Sequence, residues 1–366
     1  MKRIVAVVLI LCLLCGCGTK PQTEETITIT DHAGNTVEVP AQIDRIAVCD
    51  IYPLPSVLSV FFDSAEKIVA MAPNSMQAAE NSLLSQLYPE ILNADTTAIS
   101  GPQMNMEELI ALEPQVVFYN TADPELGEEL RSAGFSAVGV SVDQWGYDAV
   151  NTLNQWIALL SQMFPQYAGE RAKAVSDYAQ EVVNLIWQRT KEVPEKEKIM
   201  FLFQYTDAAI VTNGRNSFGQ WWANTIGAVN VAQEMTDNGS GRVTMEQVYA
   251  WNPSQILITN FNPAQPEDLY QNTMGSYDWS GIAAVENKKV YKLPLGMYRS
   301  FTPGVDTPIA LLWMAKTVYP DLFKDIDILE KTEEYYKTVF DIQLTDAQAE
   351  SIFAPANSAG NIAAVK

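Results

Sequence analysis

Apolar and polar positions fall into two rhythms along this chain, and one stretch stands between two similar halves. From Pro165 to Pro194, apolar residues recur at Ala168, Ala172, Val175, Ala179, Val182 and Ile186, steps of four and three that draw one stripe on a helix. Glu170, Arg171, Lys173, Asp177, Glu181 and Arg189 fill much of the rest, and the prolines bound it. The pattern predicts a helix over 166–193, roughly 40 Å long at 1.5 Å per residue, about the width of a small domain. Before it, 26–30 and 36–39 alternate around Asp31-His32-Ala33-Gly34-Asn35, the pattern of a β-hairpin. Short apolar runs follow at 45–48, 67–71, 116–119 and 137–142, separated by helical stretches. After the helix the theme returns at 199–203, 209–212, 255–259 and 290–293, then helical patterns near 308–318, 328–340 and 346–353. Strands alternating with helices predict parallel sheets with helices on both faces. The expected fold class is α/β: two lobes with parallel sheets, joined by a single long α-helix.

Each half also carries a version of one phrase. Met106-Glu107-Glu108-Leu109-Ile110-Ala111-Leu112-Glu113-Pro114 precedes the predicted helix, and Met245-Glu246-Gln247-Val248-Tyr249-Ala250-Trp251-Asn252-Pro253 follows it. A short apolar run follows the phrase both times, so the two lobes are expected to be related in build.

At 366 residues and 48% hydrophobic, the chain is long enough for two domains, each with its own core. A net charge of −21 argues against a nucleic-acid or anionic-membrane surface, which wants a basic face. Lys2 and Arg3 form a basic start and 4–14 a short apolar run, the layout of a signal peptide. Leu14-Cys15-Gly16-Cys17 then resembles a bacterial lipobox, which implies cleavage before Cys17 and diacylation of its thiol. An ordinary secretory signal cleaved nearby is the alternative. Two or three acyl chains give stable anchoring, so an extracytoplasmic, lipid-anchored location at the cell membrane is expected. Cys49 is then the only thiol of the folded body, and no internal disulfide is possible. The expected layout is a signal peptide over 1–17, a polar tether over 18–25, an N-terminal α/β lobe over 26–165, the inter-lobe helix over 166–193 and a C-terminal α/β lobe over 194–366.

Four stretches together carry a family resemblance. Asp31, Gly34, Val37, Val39, Pro40, Arg45 and Ile46 are spaced as in the opening signature of periplasmic binding proteins that deliver iron–siderophore, haem and cobalamin complexes to ABC importers. The two Met-Glu phrases resemble that family's paired lobe motifs, and Trp279 to Tyr291 resembles its late strand signature. The resemblance runs from about Ile27 to Phe340 and implies two Rossmann-like lobes on one rigid helix, with limited lobe closure. It implies a substrate-binding lipoprotein that captures a metal chelate, iron(III)–siderophore first, and hands it to a permease and ATPase. Cobalamin, haem and chelated nickel are the alternatives. A monomer is expected. Glu107 and Glu246 match the glutamates that, in the family, form salt bridges with permease arginines. Read on their own, both are first-turn helix residues favoured by the helix dipole. Gln115 and Ser254 stand where the family often has aspartate, at an expected strand entrance.

For the ligand, arginines in loops matter most, because loops at strand ends are where a two-lobe α/β protein presents contacts. Arg215 and Arg299 lie in such loops, as does Arg242, which its nearness to Glu246 could assign to docking instead; Arg131, Arg171 and Arg189 fall in helical stretches and read as solvated. Arg299 belongs to Leu295-Gly296-Met297-Tyr298-Arg299-Ser300-Phe301-Thr302-Pro303-Gly304. That mixture suits an anionic, partly aromatic chelate, with guanidinium on its oxygens and rings on its faces. Tyr298 is a candidate contact and a conceivable phenolate ligand to the metal. Tyr52 follows the first strand. Trp145, Tyr205, Trp221 and Trp222 are further candidates, although aromatic residues at such spacing are more often core.

His32 is the only histidine and lies in the hairpin turn. A bare metal held by protein would want His, Cys or clustered carboxylates, so no resident metal or cofactor is expected and the metal should arrive chelated. The chain has no G-x-S-x-G, Walker A, G-x-G-x-x-G or H-E-x-x-H, so an enzyme is not expected. A surface interaction lipoprotein without a transport role is the remaining alternative.

Overall fold

The computed structural model describes residues 25–99, 104–167, 170–235 and 239–355, with the side chains of 170–172 left aside. The expected signal peptide, nearly all of the expected tether and Cys17 lie outside the described residues. The first lobe holds β1 (Thr26–Thr30), β2 (Thr36–Pro40), β3 (Ile46–Val48), β4 (Ile68–Met71), β5 (Val116–Asn120) and β6 (Ala137–Val140). β1 and β2 form the expected antiparallel hairpin. Asp31 builds its turn, one carboxylate oxygen accepting from the backbone N–H of Ala33 and Asn35 at 3.0 and 2.8 Å. The other oxygen accepts from Gly139 N at 2.9 Å, and a Cβ on Gly139 would stand only 2.9 Å from it. The turn is thereby pinned to β6. The remaining strands make a parallel sheet in the order β4-β3-β5-β6, buried almost throughout, as a sheet covered on both faces must be.

The second lobe holds β7 (Lys198–Leu202), β8 (Gln204–Thr206), β9 (Ala209–Asn213), β10 (Val229–Asn230), β11 (Ser240–Val243), β12 (Gln255–Ile258) and β13 (Val290–Lys292). Its parallel sheet runs β10-β7-β12-β13. The run at 209–212 was expected to join it. Instead β9 sits in a separate antiparallel sheet, β11-β9-β8. Only Phe203 separates β7 from β8, which pairs with one edge of β9 while β11 takes the other, and Ser-Gly-Arg-Val is too polar to read as a buried strand.

The inter-lobe helix spans Glu170–Thr190. Val175 joins the core of the first lobe, Val182 and Ile186 that of the second, and Tyr178 packs against both. Burying such a side chain is worth about 1.5–3 kcal/mol, so one apolar stripe is shared by two cores. Arg189 is not merely solvated: it grips Asp325 with two bonds of 2.7 and 2.8 Å and donates to Leu322 O at 2.8 Å. This planar fork fixes the far end of the helix. The chain then returns. The helices Ile328–Phe340 and Asp346–Phe353 place Tyr335, Tyr336, Val339, Phe340, Ala349 and Ile352 in the core of the first lobe. Within the expected C-terminal lobe, these two helices therefore pack with the first lobe instead.

The repeated phrases fold alike. Met106–Ala111 and Met245–Trp251 are short helices capped by Asn105 and Thr244, each accepting from the backbone N–H three residues on. Both phrases turn through a left-handed residue, Glu113 at φ 47° and Asn252 at φ 43°, before their proline. Gln115 accepts from the N–H groups of Asp44 and Arg45 at 2.7 and 3.1 Å, and Ser254 accepts from Lys198 N at 3.0 Å. Each ties its strand entrance to the start of the neighbouring strand.

Candidate functional site

The loop from Leu295 to Asp306 leaves β13 of the second lobe and is laid against the first. Gly296 O accepts from Leu83 N at 3.0 Å and Met297 O from Ser82 Oγ at 3.2 Å. Leu295 and Tyr298 pack on Ala78, and Leu295 N donates to Ile352 O at 2.8 Å. The buried carboxylate of Asp306 organises the loop from inside. It accepts from Met297 N at 2.7 Å, from the backbone N–H of Tyr298 and from the Tyr336 hydroxyl. A Cβ on residue 296 would meet that carboxylate at 2.5 Å, so glycine is what lets the backbone pass. Burial pushes the Asp306 carboxyl up to about 6 against the pull of these three donors.

What this loop presents is Arg299, 1% exposed. Its guanidinium lies 4.9 Å from the Phe261 ring centre and 5.4 Å from that of Tyr298, and its Nη1 donates to the Tyr298 hydroxyl at 2.9 Å. Burial pushes the Tyr298 phenol up to about 12, although Arg299 pulls it down. Tyr52, from the loop after β3, faces this pair closely enough for Arg299 to act on its phenol and for its own charge to act on Tyr298. Tyr52 is 36% exposed. Burial, with Asp50 adding to it, holds the Tyr52 phenol above its ordinary value. The Asp50 carboxyl is itself raised by burial and by Asp123. The sequence-expected trio Tyr52, Tyr298 and Arg299 is thus one cluster, drawn from both lobes. Chemically it offers a fixed cation between aromatic faces with phenol O–H groups beside it, a recognition unit for an anion.

The other expected residues are elsewhere. Trp222 is fully buried and donates from Nε1 to Phe301 O at 2.9 Å; it supports the loop from behind. Trp221 stacks edge-on against it, ring centres 5.0 Å apart. Tyr205 is also fully buried, donating to Met274 O at 2.5 Å and accepting from Trp279 Nε1 at 2.9 Å. For Trp222 and Tyr205 a ligand contact is corrected to a core role. Arg215 is spent at the surface on Glu234 at 3.2 Å and Gln233 O at 3.2 Å. Trp145 meets the His32 imidazole edge-on at 4.9 Å. Glu107 and Glu246 are exposed at the N-termini of their helices, and the backbone N–H and Thr244 hydroxyl lower the Glu246 carboxyl. Phe261 and Asp306 were missed. Phe261 sits in an Asn-rich loop with no periodicity, and Asp306 before Thr307-Pro308 reads as an ordinary helix cap, although its side chain caps nothing.

A family model described as "Periplasmic binding protein" matches residues 65–295. The chain belongs to that family. As a periplasmic binding protein it is a substrate-binding component of an ABC transporter, not an enzyme, and its partners are a permease, an ATPase and a small-molecule ligand. It is 27% identical over 337 residues to the molybdate-binding protein MolA of Haemophilus influenzae, covering 85% of this chain and 90% of that one. It is 22% identical over 342 residues to the uncharacterized ABC transporter substrate-binding lipoprotein YvrC of Bacillus subtilis, covering 87% and 97%. A periplasmic solute binding protein from Veillonella parvula superposes with a TM-score of 0.80 at 28% identity, covering 91% and 98%. The family acts outside the cytoplasm, and among the described residues no helix is long and apolar enough to cross a membrane.

Proposed function

We propose that this periplasmic binding protein captures a compact metal-bearing anion, an oxyanion of the molybdate kind, between Tyr52 and the Tyr298–Arg299 pair. The observation that carries the reading is the near-complete enclosure of Arg299, 1% exposed, between Phe261 and Tyr298. A guanidinium held so deep has little face to offer a broad ring system, but its N–H fork and the neighbouring phenols suit a small group of oxygens. The likeness to a molybdate-binding protein supports it. The ferric chelate expected from the sequence is the second reading, favoured by the exposed ring of Tyr52, on which an aromatic ligand could stack. Cys17 is the proposed site of lipid attachment, and Glu107 and Glu246 the proposed permease contacts.

Calorimetric titration with molybdate, sulfate, phosphate and a ferric catecholate tests the choice. Molybdate should bind with the highest affinity, and Arg299→Ala should weaken it by about 1.5–3 kcal/mol, the range for a hydrogen bond to a charged partner. Binding of the catecholate alone selects the second reading. If the variant binds within twofold of wild type, the loop is not the site.

A further inference from the structure

The two repeated helices match in more than their acid. From Met106 to Gln115 and from Met245 to Ser254, buried, half-buried and exposed residues follow the same order position by position. Within that order a large apolar residue stands exposed one turn after each glutamate: Ile110 at 50% and Tyr249 at 40%. Ala111 and Ala250 follow, both exposed. Residues three and four apart share a helix face, so each lobe shows a carboxylate, a large apolar side chain and a small residue as one stripe. Exposed apolar side chains are common singly. A large one at the matching position, beside the same charge, on two lobes is a repeated surface.

We infer that Ile110 and Tyr249 are the apolar centres of two like contacts with the importer's permease, each sitting in an apolar hollow edged by basic groups that meet Glu107 and Glu246. This rests on the reading that the two glutamates face the permease. Two observations commit the surface to that partner rather than to a second copy of the chain. Two like stripes on one rigid molecule fit a receiver that presents two like sites. An acidic border in a chain of net charge −21 repels its own kind and favours a basic face. The helices are also too well fixed to be adventitious, each closed by a side-chain cap and by a left-handed turn into proline. Contacts of this build divide the work: buried apolar anchors supply most of the affinity, and the acidic rim supplies steering and register.

The test uses the full-length lipidated protein and its cognate importer in nanodiscs, reading binding affinity and stimulated ATPase rate. Ile110→Ser and Tyr249→Ser should each raise the dissociation constant about tenfold, and the pair should raise it further. Molybdate affinity and melting temperature should stay at wild type. Because the Tyr249 hydroxyl also donates to Asp278 O at 2.6 Å, Tyr249→Phe separates ring from hydroxyl and should dock normally. Raising salt should shrink the loss caused by Glu107→Lys/Glu246→Lys and leave the serine losses in place. Docking of the double serine variant within twofold of wild type, while the lysine variant fails, overturns this inference alone. If neither pair changes docking, the glutamate reading falls with it. A Tyr249→Phe variant as weak as Tyr249→Ser would also overturn it, since the ring would not be the anchor.

Discussion

Replacing Asp306 by asparagine should change how stability responds to pH. The carboxyl ordinarily titrates at 3.8 and is raised by burial to about 6 in the fold. A raised value means the folded chain holds the proton more tightly than the unfolded one. This contribution is fully present below the unfolded pKa, near 4, and is lost as pH rises through 6. At 1.36 kcal/mol per pKa unit the loss amounts to about 3 kcal/mol. Asparagine carries no charge to desolvate. Its amide can also keep the pattern, with Oδ1 accepting from the loop N–H groups and Nδ2 donating to the Tyr336 oxygen. The free-energy difference between variant and wild type should therefore move by about 3 kcal/mol in the variant's favour between about pH 4 and about pH 7.5. Urea unfolding followed by tryptophan fluorescence across that window measures it. Subtracting the two proteins removes the other carboxylates, which titrate alike in both. Parallel curves would show that the buried carboxylate carries no such penalty, and the account of the loop's organisation would fail with it.

His32 should act in the opposite sense. Burial lowers its pKa, with Gln155 and Asp31 opposing, and its Nδ1 accepts from Ser141 N at 3.2 Å, so the neutral ring stabilises the fold above pH 6.5 and that stability is lost as pH falls below it. His32→Gln should flatten the fall in melting temperature between about pH 7 and about pH 5; an unchanged slope would refute the assignment. Cys17→Ser should move the protein from the membrane fraction to the soluble one with molybdate affinity intact, and retention in the membrane would mean the 4–14 segment is an uncleaved anchor.

Much of this was legible in the sequence for identifiable reasons. Val175, Val182 and Ile186 keep a helical period, and period survives whichever core each residue ends in. Arg299 stood out because a cation among Gly, Tyr, Phe and Pro cannot be read as a helix face. Trp222 and Tyr205 could not be sorted from Tyr52, because burial of an aromatic residue depends on neighbours far away in the chain. Asp306 was hidden by its position before Thr307-Pro308, where a local capping role is the simpler reading; its partners Met297 and Tyr336 lie nine and thirty residues away. The helices near 328–340 and 346–353 were plain from their pattern. Amphipathicity marks a helix as packed, but not against which lobe.

That last point has a mechanical consequence. A molecule with a single link between two masses can swing about it, as a door does on one hinge. Here the chain crosses from one mass to the other along Glu170–Thr190 and crosses back to place Tyr335, Tyr336 and Ile352 in the first core, with Leu295 tied to Ile352. Two crossings and a tie make a braced frame, which resists swinging more than a single link would.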